Sequence, residues 1–108
     1  MEARRLVLIV ALLAGMAIPA EAARYTVTIK DMAFGKAPPA LHVGDSIIWQ
    51  NKDIFQHSAT ARSGVFDIDL KPGKQGEVTL KQAGQVEVYC RYHPTMTLTL
   101  MVSRESMK

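Results

Sequence analysis

The chain has a single cysteine, Cys90, so no intramolecular disulfide can staple it. Histidine is nearly as scarce, with His42, His57 and His93 making the full set of three. No block of five or six basic residues occurs, and the formal net charge is only +3. Nucleic-acid arms and polybasic membrane patches are therefore unsupported, and the scattered charges read as a solvated surface. No internal repeat or low-complexity stretch stands out, and no helical period appears beyond the first residues.

What is present begins with Arg4 and Arg5, followed by the apolar run LVLIVALLAGMAI and then Ala20-Glu21-Ala22. A short basic start, an apolar stretch and small residues at the first and third positions before a cut form the pattern of a secretory leader. The run falls short of the roughly 20 residues that cross a bilayer, which argues against a retained anchor. Residues 1–22 are thus expected to be a signal peptide and 23–108 one domain, delivered to the periplasm. About 86 residues suffice for one core and are too few for two. The net charge survives cleavage, because Arg4 and Arg5 leave together with Glu2 and Glu21. Export sharpens the meaning of Cys90, since oxidising compartments favour paired cysteines. A lone exported thiol is a core residue, an intermolecular bridge or a metal ligand.

From Tyr25 to Lys30 apolar and polar residues alternate, the period of a strand with one buried face. Pro38 and Pro39 belong in a loop or at a sheet edge, and Leu41-His42-Val43 leads to a Gly44-Asp45 turn. Further strands are expected over Ser46–Asn51, His57–Thr60, Phe66–Leu70, Gly76–Leu80, Gln85–Tyr89 and Thr97–Val102, with turns at Ser63-Gly64, Pro72-Gly73 and Gly84. About seven or eight short strands with closely spaced turn signals predict an all-β fold, a β-sandwich with Greek-key connections. Trp49 is expected in its core, Asn51 and Asp53 as residues that shape a loop, and Ser103 to Lys108 as a polar tail.

The two-residue period of Val86-Glu87-Val88-Tyr89-Cys90 turns the Cys90 thiol inward at the end of a strand. Directly after it, Arg91-Tyr92-His93-Pro94-Thr95-Met96 adds an imidazole and a thioether within one tight turn. A soft, sulfur-rich donor set suits copper better than magnesium or calcium, which prefer oxygen. A fourth donor must come from elsewhere, and His57 is the candidate. His42 has no matching ligand position and reads as structural or surface; Met101 and Met32 read as packing.

These residues resemble the cupredoxins, the type 1 or blue copper proteins, and most closely the amicyanin-like and plastocyanin-like members. The matching residues are Val43-Gly44-Asp45, Trp49-Gln50-Asn51-Lys52-Asp53 before His57, Pro72-Gly73, and Tyr89-Cys90-x-x-His93-Pro94-x-Met96. The resemblance implies a mononuclear copper site in which His57, Cys90 and His93 form a plane and Met96 is a long axial ligand. Leu98 stands where many relatives have glycine, and Tyr92 where the amicyanin loop has proline. Tyr92 keeps a backbone N–H, expected to donate to the Cys90 sulfur and lower the reduction potential. Ser58, next to His57, is either an ordinary strand serine or a polar tie between the two ligand segments.

The function implied is periplasmic electron transfer, one electron at a time through one copper ion per chain. The exposed edge of His93 would be the exit, ringed by Arg91, Tyr92 and Pro94. Transient redox partners are expected, such as a c-type cytochrome, an amine dehydrogenase or another oxidoreductase, with Lys52 and Arg91 favouring an acidic partner face. The carrier itself is expected to be a monomer. Catalysis is not expected: the His-x-His pairs of multicopper oxidases are missing, and one cysteine cannot build a binuclear copper centre. The alternative is a protein for copper storage, delivery or resistance, which would use the same ligands.

Overall fold

Alternation of apolar and polar residues drives each segment to pair as a strand that buries one face. In a computed structural model that describes residues 21–104, two sheets result. The strands are β1 (Arg24–Lys30), β2 (Ala33–Phe34), β3 (Leu41–His42), β4 (Ser46–Asn51), β5 (His57–Ala61), β6 (Asp67–Leu70), β7 (Gln75–Thr79), β8 (Gly84–Tyr89) and β9 (Thr97–Ser103). One sheet runs β2-β1-β4-β7 and the other β3-β9-β8-β5-β6. The β1–β4 and β3–β9 pairings are parallel and the others antiparallel. Among the described residues there is no helix, and therefore none long and apolar enough to cross a membrane. The predicted leader lies outside the described residues except for its last two.

The all-β sandwich expected from the sequence is thus the observed class. The count reaches nine because β2 and β3 are only two residues long each. The inward faces of Val27, Ile29, Ile47 and Trp49 meet Ala59, Leu70, Val88 and Leu100 from the other sheet, all essentially inaccessible to solvent. Trp49 is the largest buried side chain and meets Phe34 edge-on with ring centroids 5.7 Å apart. Its indole N–H lacks a hydrogen-bond partner among the described residues. That omission costs about 1–3 kcal/mol, which the ring's packing must offset.

Two turns determine what surrounds one end of the sandwich. The β1–β2 hairpin closes through Asp31 and Met32, both at positive φ (53° and 62°), the twist-matched form of a two-residue loop. Asp tolerates this conformation, whereas Met does so with strain. The Met32 N–H donates to the Asp53 carboxylate at 2.9 Å, a bond that helps hold it there. Between β6 and β7, Pro72 and Gly73 make a turn closed by Lys74 N–H to Lys71 C=O at 2.9 Å. Gly73 adopts φ 77°, the left-handed value this Pro-Gly turn demands of its third residue.

Candidate metal centre

Asn51, at the end of β4, is fully buried and organises the segment leading to His57. Its amide donates to the carbonyls of Phe55 and Leu70, both at 2.8 Å, and its side-chain oxygen accepts from the Asp53 N–H at 2.8 Å. The loop thereby curls so that Asp53 returns to meet the first residue of β5. The His57 Nε2 lies 2.9 Å from Asp53 Oδ2. Asp53 also accepts from the Ile54 and Met32 amides. The hydrogen bond with His57, foremost, and that from Met32 hold its carboxyl below the usual aspartate range. With Nε2–H given to an aspartate, His57 presents Nδ1 as the free donor.

The second segment leaves β8 at Cys90. Three backbone bonds fold it: His93 N–H to Cys90 C=O at 3.3 Å, Met96 N–H to His93 C=O at 2.9 Å and Cys90 N–H to Met96 C=O at 3.2 Å. This tight turn faces the inward thiol and His93 toward His57. Cys90 Sγ lies 3.6 Å from His57 Nδ1 and 3.8 Å from His93 Nδ1, and the three donor atoms all fall within 4.8 Å of one another. An ion bound at about 2.3 Å to sulfur and 2.0 Å to nitrogen, with donors about 120° apart, places sulfur and nitrogen roughly 3.7 Å from each other. The triangle has the size of a trigonal metal site. Cys90 and His57 are fully buried, whereas His93 is only half-buried, its ring 6.3 Å from that of Phe55.

Met96 is 5 % exposed and closes the same loop. Met101 is exposed and pairs with Gln85, at the opposite end of β8 from Cys90. Met32 is exposed too, so neither of these two methionines packs in the core as the sequence had implied. His42 sits apart on β3, its backbone N–H donating to Asp45 at 2.9 Å.

Two expectations about the ligand loop resolve differently. Ser58 is the polar tie: the Arg91 N–H donates to its hydroxyl at 2.9 Å. A relay continues from Ser58 to Thr60 and from Thr60 to Asp67, each step 2.8 Å. Tyr92, in contrast, makes no backbone hydrogen bond to the Cys90 sulfur among the described residues. Its phenol instead donates to Asp69 at 2.9 Å and accepts from the Gln56 amide at 3.1 Å. Arg91 also turns back, pairing with Asp67 at 2.9 Å and with Asp69. The antiparallel β5–β6 register sets Asp67 opposite Thr60 and Asp69 opposite Ser58, bringing these acids alongside the loop.

The clasp that Arg91 and Tyr92 form on Asp69 has a pH dependence of definite sign. Hydrogen bonds from Tyr92 and Arg91 lower the Asp69 carboxyl below its ordinary 3.8. A depressed folded value means that its contribution to stability is complete above the unfolded pKa and disappears as pH falls through the folded one. Urea unfolding of metal-free protein should therefore show a loss of stability below about pH 4 that is smaller in Asp69→Asn. Equal acid sensitivity in the two proteins would mean that the clasp carries no such charge.

No family model and no curated protein matches this chain. Solved structures do. A purple cupredoxin from Nitrosopumilus maritimus is 20% identical with a TM-score of 0.64, the match covering 73% of this chain and 99% of that one. A copper(I) form of an amicyanin variant is 24% identical with a TM-score of 0.65, covering 79% and 86%. Amicyanin from Paracoccus versutus is 22% identical with a TM-score of 0.63, covering 80% and 85%. The fold is that of the cupredoxins. The donor cluster lies at one end of this sandwich, where β4 and β8 end and β5 and β9 begin.

Proposed function

We propose that this protein is an exported blue-copper electron carrier in which His57, Cys90, His93 and Met96 would hold a copper ion that supplies one-electron redox chemistry. The observation that carries the reading is the pair of sulfur-to-nitrogen distances, 3.6 and 3.8 Å, close to the roughly 3.7 Å that a shared trigonal ion would set. Copper in such a set gains and loses one electron with little change of geometry. The protein's part is to hold the donors still. Asp53 orients His57, Ser58 ties the Cys90 loop to β5, and three backbone bonds close that loop from Cys90 to Met96 and hold His93 near the thiol.

His93 is the most exposed of the four proposed ligands, so its edge is the path by which an electron leaves. Ile54, Phe55 and Tyr92, exposed large side chains on the same two loops, would lie against a partner there. A small, transient encounter fits such a rim. Four protein ligands, three of them buried, would leave no open position for a substrate, which argues for a carrier and not an enzyme. The leader directs it to the periplasm, where a donor and an acceptor such as a c-type cytochrome or an amine dehydrogenase would meet it.

Burial of Cys90 and His57 also favours retention of the metal over delivery. Voltammetry of the copper-loaded domain beginning at residue 23 should give a reversible one-electron wave, with copper retained through repeated cycles in the presence of a copper(I) chelator. Copper passing to the chelator on reduction would instead support storage or delivery. Asp53→Asn should raise the reduction potential, since the carboxylate makes His57 a better donor to copper(II), and should weaken copper(II) binding roughly 10–100-fold. An unaltered potential would show that Asp53 acts only on the loop.

A further inference from the structure

Four lysines are gathered at the end of the sandwich that carries the donor cluster. Lys30 ends β1, Lys52 follows β4, and Lys71 and Lys74 flank the Pro72-Gly73 turn. Backbone hydrogen bonds knit these positions together. Lys52 N–H donates to Ile29 C=O at 2.8 Å, Asn51 N–H to Lys74 C=O at 2.9 Å, Gly73 N–H to Asn51 C=O at 2.9 Å and Lys74 N–H to Lys71 C=O at 2.9 Å. All four lysines are exposed, and no ion pair among the described residues includes any of them. Elsewhere Arg24 pairs with Glu77, Arg62 with Glu87 and Arg91 with Asp67 and Asp69.

The acids that share this end are mostly committed. Asp53 faces His57, and Asp69 faces Arg91 and Tyr92. Asp31, exposed beside Lys30, makes no ion pair among the described residues. Cationic side chains therefore outnumber free carboxylates on a rim that adjoins the Asp53–Gln56 loop, whose Phe55 lies against His93. Arg91 had been expected to share in this charge, but its two carboxylate partners neutralise it.

We propose that Lys30, Lys52, Lys71 and Lys74 form the electrostatic half of a docking surface for a redox protein with an acidic face around its own electron entry or exit. The inference rests on the proposed copper site, and it adds the charge of the partner and the side from which it approaches. Unpaired lysines on flexible stems keep their hydration at a loose encounter and act at range, raising the rate at which oppositely charged partners meet. The apolar side chains around His93 then complete the contact.

The test follows oxidation of the copper(I) protein by stopped flow. Hexacyanoferrate(III), an anion, and tris(phenanthroline)cobalt(III), a cation, each take one electron from the protein and stand in for partners of opposite charge. Wild type and the triple variant Lys52→Glu, Lys71→Glu, Lys74→Glu are compared after both have been checked for the blue band. With the anion, the wild-type rate should fall about tenfold between about 0.01 M and 0.15 M salt. The variant should lose that fall and react faster with the cation. Rates that ignore salt and charge in both proteins would overturn the proposal.

A missing blue band would count against the copper reading separately. The rim would then be read in metal-free protein, where titration with polyglutamate should shift the amide resonances of the four lysines. Unmoved resonances would overturn it. So would sedimentation with phosphatidylglycerol vesicles that the triple variant abolishes while the anionic oxidant shows no salt dependence, because a membrane and not a protein would then occupy the rim.

Discussion

Asn51→Ala should destabilise the metal-free domain by about 3 kcal/mol and weaken copper binding by at least about tenfold. Neither effect is obvious from an asparagine placed before a loop. Its side chain is fully buried and satisfies the Asp53 N–H and the carbonyls of Phe55 and Leu70, each at 2.8 Å. Alanine would remove all three of these bonds. The Leu70 carbonyl lies deepest, and a buried unsatisfied group costs about 1–3 kcal/mol. Nearer the surface, water can reach Phe55 and Asp53, which keeps the total at the lower end of a threefold sum. Copper affinity falls because the same loop aims Asp53 at His57. Urea unfolding measures the first effect and competition with a chelator the second; a loss below about 1 kcal/mol would mean that the loop shapes itself without Asn51.

Cys90→Ser should abolish strong visible absorption and reversible redox cycling, and should weaken copper(I) binding by orders of magnitude. The hydroxyl is nearly the size of the thiol but is neither soft nor ionised at neutral pH, so the donor that makes the set suit both oxidation states is gone. In the metal-free protein the change should be slight by comparison, because serine fills nearly the same space as the small, buried Cys90. That contrast separates a ligand from a core thiol. A serine variant that lost stability but kept its copper chemistry would return Cys90 to the core.

How far the molecule was legible beforehand depends on which interactions are local. The strand Ser46–Asn51 falls where its apolar pattern placed it, and the strand leading to Cys90 is displaced by a single residue at its start. Cys90, His93 and Met96 belong to one turn, whose spacing alone suggests that they face one space, and the structure brings Cys90 and His93 together. His57 could be named beforehand as a candidate, but its place beside Cys90 required the fold to bring β5 next to the end of β8. The Asp31-Met32 hairpin was missed because positive φ is usually announced by Gly or Asn, and neither stands there.

The ties around the site were the least readable. Asp53 was seen as a loop-shaping residue and is one, yet its bond to His57 depends on how Asn51 curls the chain. Asp67 and Asp69 looked like the solvent face of an alternating strand. Only the β5–β6 register shows them alongside Arg91 and Tyr92. Arg91 accordingly changes from a charge offered to a partner into one consumed within the molecule, and Tyr92 affects the loop through its phenol and not through its backbone.

The central claim, that His57, Cys90, His93 and Met96 bind copper as a blue redox site, is tested most directly by the visible spectrum of the domain beginning at residue 23 with one equivalent of copper(II). An intense band near roughly 600 nm that vanishes on reduction and returns on reoxidation is the predicted result. A colourless or weakly absorbing product, with copper bound or not, would contradict it.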